Sequence, residues 1–349
     1  MVAGEQTSGP RRDLPRSLLI VVVVLATSFA PPARARYTVP IESLWHIHAV
    51  EITFGTPWRL YLPTHQGVFL VGPEGIAERI SAQSEDFRSF AKHPRFSEVF
   101  YAGVSTPSGM SRGLMKSNDG AKTWVPQSKV AEHPITFDRL TVSSADPRVL
   151  YGVHLGFYVS RDGGRSWSAR LKPSHRIFAV AASSVDADIV YAATAEGMMR
   201  SFDAGESWQP AQAAKSVATM VHVTPQGTIY AYGVDSGLMR ATEPSLDWTL
   251  VHRSFGRYVL LHLAVDPADA SRLFAVTDNN EVIASEDGGR TWFDLRAELR
   301  HLHVERRVRG ECAVKEGGGR AVGGAGQCGG EPTTGRPSDD EDAESSPCR

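Results

Sequence analysis

The sequence predicts an all-β protein, a β-propeller of four-stranded antiparallel blades, on the basis of two observations. An eight-residue pattern, Ser-x-Asp-x-Gly-x-Ser/Thr-Trp, recurs roughly every 40 residues. Between its copies lie short apolar runs bounded by Gly, Pro and Asp, with no sustained helical period. A period near 40 residues with four strand-like runs (A to D) per copy is typical of a propeller blade.

The pattern occurs in full at residues 160–167, 201–208 and 285–292, and in degenerate form at 117–124 and 241–248. It lies between the third and fourth runs, C and D, of every unit except the first, which lacks it. Run C starts at six positions between residues 43 and 300, namely Gly67, Gly113, Gly156, Gly197, Gly237 and Glu281. The sequence therefore predicts six blades; the alternative, seven, would need a blade from the segment after Arg300.

Each part of the repeated turn has a structural use. Asp and Ser bond free backbone N–H groups of a tight turn, Gly permits a positive φ, and Trp covers the turn. One carboxylate per blade cannot form the acid pair of a glycosidase. We therefore assign a structural role to Ser117, Asp119, Trp124, Ser160, Asp162, Gly164, Trp167, Ser201, Asp203, Gly205, Trp208, Ser285, Asp287, Gly289 and Trp292.

The two ends differ from the repeats. Residues 1–35 predict a signal peptide, with three arginines before an apolar run over 18–30 and a small-x-small cleavage site at 33–35. This predicts a secreted or periplasmic protein that is not stably inserted in the membrane after cleavage. We expect export by the general secretory route rather than the twin-arginine route. Residues 301–349 are glycine-rich and then acidic, which predicts a disordered tail; a reading-frame artefact is the alternative.

Composition excludes some classes of function. The net charge is −2, which gives no support for nucleic-acid binding, and we predict a monomer. All three cysteines lie in the tail, so the repeats contain neither disulfides nor thiolate metal sites.

The repeated turns resemble the Asp-box, or bacterial-neuraminidase repeat, of sialidases, sortilin-type receptor propellers and the propellers of photosystem II assembly factors. Together with residues 46–50 and 64–69, they resemble exported bacterial propellers labelled glycosyl hydrolases by analogy, over about residues 43–295. The resemblance implies the fold strongly and the function weakly, because the box occurs in enzymes and in binding proteins.

Propeller geometry, as the resemblance implies it, places the B–C loops and D–A connections on one face. We assign eight of the twelve histidines to that face: His46, His48, His65, His93, His133, His154, His175 and His252. On a strand, His46 and His48 point to the same side. With His65, they could hold Zn or Cu or bind an anionic ligand; the alternative is packing between blades. Otherwise no cofactor is required.

The preferred hypothesis is an exported binding or assembly module with a protein or carbohydrate ligand on this histidine-rich face. Its candidate ligand-binding residues are His46, His48, His65, His154, Arg257 and Tyr258. The alternative is a sialidase-like glycoside hydrolase, for which only Arg257, Tyr258 and Arg59 resemble substrate-binding residues, and no catalytic residue can be assigned. A third hypothesis is a periplasmic metal-handling protein. The B–C connection of unit two carries an insertion at 102–112, which either shapes the binding surface or is a flexible surface loop.

Overall fold

The computed structural model describes residues 36–53, 57–128, 134–170, 176–211 and 216–295. The chain divides into two units after Tyr37, and of the first unit only Arg36 and Tyr37 are described. The fold below is that of the second unit. The predicted signal peptide, the predicted tail, His133 and His175 lie outside the described residues. Across the described ranges, no helix is long and apolar enough to cross a membrane.

The described residues form six antiparallel sheets, which are the six blades of a propeller. Blade one contains β1 (Thr38–Pro40), β2 (Glu51–Ile52), β3 (Leu60–Thr64), β4 (Gly67–Val71) and β5 (Ile76–Arg79), with a short 3-10 helix at Ile41–Ser43. Blade two contains β6 (Asp86–Lys92), β7 (Phe100–Ser105), β8 (Ser111–Ser117) and β9 (Val125–Ser128). Blade three contains β10 (Arg139–Val142), β11 (Leu150–Val153), β12 (Phe157–Ser160) and β13 (Ser168–Arg170).

The second half of the ring repeats this plan. Blade four contains β14 (Ile177–Ala182), β15 (Val190–Thr194), β16 (Gly197–Ser201) and β17 (Gln209–Pro210). Blade five contains β18 (Ala218–Val223), β19 (Thr228–Gly233), β20 (Gly237–Thr242) and β21 (Thr249–His252). Blade six contains β22 (Leu260–Val265), β23 (Leu273–Thr277), β24 (Val282–Ser285) and β25 (Phe293–Asp294). Six blades of four strands are as predicted, with β1 as an additional outer strand of blade one, paired to β5 with Val39 opposite Ala77.

The core consists of six apolar clusters, each between neighbouring blades. A tryptophan packs against each cluster; from the blade one–two interface onward these are Trp124, Trp167, Trp208, Trp248, Trp292 and Trp58. Five come from the repeated turns. Trp58 precedes β3 and packs on Phe274 at 4.7 Å between ring centroids, so it serves the interface that closes the ring. The backbone N–H of Ile47 also donates to Asn280 Oδ1 at 3.0 Å across this closure.

The repeated turn has the predicted hydrogen bonds, as blade three illustrates. Asp162 Oδ1 accepts from the backbone N–H groups of Arg165 and Ser166, both at 2.9 Å, and Oδ2 accepts from the Ser166 hydroxyl at 2.6 Å. Gly164 has φ +83° and donates to Ser160 Oγ at 2.8 Å. The indole N–H of Trp167 donates to the Gly164 carbonyl at 3.2 Å. These carboxylates therefore hold the turn. In blade four the pKa of Asp203 is lowered to about 2 by hydrogen bonds from the hydroxyl and backbone N–H of Ser207 and from the Ser201 hydroxyl.

The turns also pair with the A–B turns of their own blades, which defines the box face. The backbone N–H of Gly163 donates to the Arg148 carbonyl, and that of Gly288 donates to the Ser271 carbonyl, both at 2.8 Å. In the degenerate turn of blade five, Glu243 stands in the Asp position but reaches the preceding blade. Its carboxylate accepts from Ser184 Oγ at 2.9 Å and from Tyr191 OH at 3.0 Å. The Glu243 carboxylate thus links two blades, whereas the Asp162 carboxylate bonds within its own turn.

Gly103 in β7 lies where blade two contacts blade three. A Cβ there would overlap the Phe137 carbonyl oxygen and lie 2.8 Å from Ser89 Oγ, which itself donates to that carbonyl. We expect Gly103→Ala to destabilise the fold by about 2–3 kcal/mol, since rigid backbone must move. The midpoint temperature of thermal unfolding should fall by about 5–10 °C. The matched change Gly72→Ala meets only the flexible Glu74 carboxylate, so an equal shift there would contradict this explanation.

Candidate functional site

The B–C turns and D–A connections lie opposite the box face, and we call this side the loop face. The inner strands of all six blades surround a central channel with a cavity of about 220 Å³. His48 and Asp138 line its loop-face end, and His93 and Ser144 line its box-face end. The channel is smaller than the usual 300–1,000 Å³ of a small-molecule pocket.

Several titratable groups face the channel. Burial raises the pKa of Glu51 to about 7, against the opposing effect of Lys92, whose own pKa is lowered by burial. The Lys92 ammonium donates to the Ile52 carbonyl at 2.8 Å. Burial also lowers the pKa of His222 to about 4 and, with Arg139 and His48, that of His262 to about 3. Both imidazoles are therefore neutral at pH 7.

At the loop-face end of the channel, three histidines come together. The His46 and His65 ring centroids are 4.8 Å apart, and those of His48 and His65 are 4.6 Å apart. The predicted convergence is present, but its predicted cause is wrong. Residues 44–50 are not a strand, and His46 has a left-handed φ of +54°. A turn in the chain entering blade one, together with the bond from His48 N to the Pro63 carbonyl at 2.9 Å, brings the rings together.

Asp86, which sequence reasoning missed, lies beside these histidines at the start of β6. Its Oδ1 is 2.7 Å from His65 Nδ1 and 3.9 Å from His48 Nε2. Nitrogen and oxygen atoms of His48, His65 and Asp86 all lie within 4.8 Å of one another, so Asp86 rather than His46 completes a group able to hold a metal. Burial, then His65, lowers the pKa of His48 to about 4, against the opposing effect of Asp86.

An ion-pair chain continues from Asp86 over three blades. Arg88 Nε donates to Asp86 Oδ2 at 3.1 Å, and Arg88 Nη1 lies 3.5 Å from Asp138 Oδ1. Asp138 Oδ2 is 3.0 Å from His154 Nδ1, so the predicted ligand residue His154 belongs to the same network. One sequence feature could have indicated this network. An acidic residue is followed closely by an arginine at the start of run A in units two and three, at 86–88 and 138–139.

The other candidates lie elsewhere. Arg257 and Tyr258 pair with each other, Nη2 to OH at 2.7 Å, in the connection before β22. His252 ends the outer strand β21 and contacts the Arg290 carbonyl. His93 was predicted on the loop face, but it follows β6 and accepts from Arg95 N within the A–B turn, on the box face. Arg59, which donates its N–H to Thr53 Oγ1 in the A–B connection of blade one, is also on that side.

The apparent insertion at 102–112 is mostly strand. β7 and β8 extend into it and leave a five-residue turn at 106–110, closed by Thr106 N to the Met110 carbonyl at 2.8 Å. Three exposed apolar side chains lie on the loop face of the blades that carry the polar network. Trp45, Met110 and Leu155 expose 53%, 70% and 82% of their surface. They belong to blades one, two and three, the same blades that carry the network.

A family described as BNR/Asp-box repeat matches residues 158–169, which contain the turn of blade three. The repeated turn is an Asp-box. Among curated proteins, none matches this chain significantly. The solved structures with this likeness show the fold alone, because their identities are low.

One such structure is a GH74 enzyme from Niastella koreensis, 17% identical, with TM-score 0.50; the match covers 72% of this chain and 45% of the enzyme. This chain therefore spans less than half of the enzyme's length. Two others are YCF48 from Cyanidioschyzon merolae (16% identical, TM-score 0.46, 74% and 88% covered) and YCF48 bound to D1 peptide (14% identical, TM-score 0.47, 74% and 85% covered).

Proposed function

We propose that this Asp-box propeller is an exported binding module that docks a protein partner on its loop face over blades one to three. The observation that carries the proposal is the coincidence of two features on those blades. One is the polar chain from His65 through Arg88 to His154, and the other is the exposed set Trp45, Met110 and Leu155. Exposed apolar side chains beside charged groups are typical of protein interaction sites.

The size of the features favours a protein over a small molecule. The surface spans three blades, whereas the central cavity is only about 220 Å³. The predicted cleavage of residues 1–35 would place the partner in the periplasm or outside the cell.

Site-specific photo-crosslinking in the natural host tests the docking site. A photoreactive residue at Leu155 or Met110 should give the same crosslinked partner, and Trp45→Ala in addition should reduce the yield several-fold. The matched control position is Val185, which is 54% exposed on the box face. The proposal would be contradicted if the photoreactive residue gave no crosslinked partner at positions 110 and 155, or gave the same partner in equal yield at position 185.

The glycosidase alternative uses the same end of the channel, where Asp86 and Asp138 are two carboxylates on either side of Arg88. Both are engaged by Arg88, which argues against a free acid and nucleophile. A panel of aryl-glycosides and aryl-sialosides tests it: chromophore release by the wild type that Asp86→Asn and Asp138→Asn abolish would replace the binding-module proposal. We expect no release.

A further inference from the structure

His48, His65 and Asp86 come from three separate segments. His48 lies in the chain entering blade one, His65 in the turn between β3 and β4, and Asp86 at the first position of β6 in blade two. The three side chains nevertheless meet with donor atoms within 4.8 Å of one another. Two neighbouring blades are needed to build the group, so it depends on the folded ring.

The contacts within the group are incomplete. His48 Nε2 is buried without a hydrogen-bond partner, although it faces Asp86 Oδ1 at 3.9 Å. A buried polar atom without a partner costs about 1–3 kcal/mol. Asp86 cannot turn toward it freely, because His65 holds Oδ1 and Arg88 holds Oδ2. A cation between the three side chains would satisfy this nitrogen and would replace the proton that His65 Nδ1 shares with Asp86 Oδ1, so that both of those atoms become ligands.

We propose that His48, His65 and Asp86 bind one divalent transition-metal ion of the zinc class at the loop-face end of the channel. Tetrahedral Zn²⁺ with ligands at about 2.0–2.1 Å requires ligand atoms about 3.3 Å apart. The separations from Asp86 Oδ1, 2.7 Å to His65 and 3.9 Å to His48, lie on either side of that value. The third pair, the ring nitrogens of His48 and His65, lies within 4.8 Å, so side-chain movements of about 1–1.5 Å would complete the geometry.

The surroundings fit such a site. Two imidazoles and one carboxylate form a three-ligand set that leaves a coordination position for water or for a group of a ligand. Arg88 holds Asp86 Oδ2 by a hydrogen bond, which orients the carboxylate so that Oδ1 faces the two histidines. Because Arg88 is itself positive, we expect moderate affinity, in the micromolar range. The exposed His46 ring packs on His65 from outside the donor group.

Calorimetric titration of the untagged, EDTA-treated full chain with ZnCl₂ tests this site. We expect one ion per chain, and a loss of affinity of at least tenfold in His48→Ala, His65→Gln and Asp86→Asn. His46→Ala and His252→Ala are matched imidazole controls and should bind as the wild type does. A triple Cys→Ser variant at Cys312, Cys328 and Cys348 excludes binding by the thiols. Circular dichroism establishes that each variant is folded, and visible absorption of the Co²⁺ form reports the coordination geometry.

Absence of stoichiometric binding by the wild type, or unchanged affinity in both His48→Ala and His65→Gln, would overturn the metal site. The metal proposal and the docking proposal can fail separately. If crosslinking from Leu155 persists while no ion binds, only the metal site is rejected. If the ion binds but no partner crosslinks, only docking is rejected.

Discussion

Replacing Trp167 by alanine is expected to destabilise the propeller by about 2–4 kcal/mol, one of the two largest effects that the structure predicts. The indole packs on Phe137 at 4.5 Å between ring centroids, within the cluster that joins blades two and three. Its N–H lies 3.1 Å from Ser128 Oγ on blade two and 3.2 Å from the Gly164 carbonyl of its own turn. The substitution removes ring packing and a bond between blades at once.

Chemical denaturation measures this loss of stability directly. The midpoint temperature of thermal unfolding should fall by about 5–15 °C. Trp167→Phe keeps an aromatic ring and loses the N–H, so it should cost less than half as much. The control is Trp45→Ala, because Trp45 is 53% exposed and lies outside the six clusters; surface changes usually cost less than about 0.5 kcal/mol. Equal losses at positions 45 and 167 would show that the box tryptophans do not hold blades together.

The tryptophans also show why the architecture could be predicted from sequence. An Asp-box is a local structure in one respect: the side chains of its aspartate and first serine bond to residues at most four positions away, as Asp162 does to Ser166. Each turn can therefore be recognised in the sequence without knowledge of its neighbours, and the spacing gives the number of blades. Trp58 serves the sixth interface without any box, and sequence reasoning gave it no such role because its partner Phe274 is far along the chain.

The candidate site was only partly predictable, because its contacts are not local. The rings of His46, His48 and His65 do lie together, but the prediction assumed a regular strand, which the left-handed φ of His46 rules out. Asp86 begins the inner strand of blade two and Asp138 directly precedes that of blade three, and their histidine partners lie 21 and 16 residues away. His93 was placed on the wrong face because the inner strand of blade two had not been delimited. Errors of one strand boundary thus reverse the face to which a loop residue belongs.

Acidification from pH 7 to pH 4.5 is expected to destabilise the apo protein through the channel histidines. The pKa of His222 is about 4 in the folded protein because of burial, and that of His262 is about 3. In the unfolded chain both return to about 6.5. Below pH 6.5 the unfolded chain therefore binds more protons than the native one, and the free energy of unfolding falls as the pH falls toward the native pKa. This loss begins well before the Asp-box carboxylates protonate, since the pKa of Asp203 is about 2.

Complete burial of His222 would correspond to about 3 kcal/mol, but both histidines are only partly buried, which reduces the effect to about 1–2 kcal/mol for each. Urea denaturation at pH 7 and pH 4.5 measures the difference. In the double variant His222→Gln/His262→Gln, the difference between the two pH values should shrink by about 2–3 kcal/mol. An unchanged difference would show that neither imidazole is desolvated in the native channel.

Glu51 provides a test of opposite sign in the same channel. Its pKa is about 7 in the folded protein, raised by burial against the attraction of Lys92, and about 4.5 in the unfolded chain. Between those values the native state binds more protons, so Glu51 adds stability as the pH falls from 7 to 4.5 and partly offsets the histidines. Glu51→Gln should remove this offset and steepen the acid-induced loss by about 1–2 kcal/mol. The Lys92 ammonium keeps its bond to the Ile52 carbonyl in that variant. Opposite changes in pH dependence from Glu51→Gln and from the double histidine variant would show that the channel wall desolvates charges of either sign.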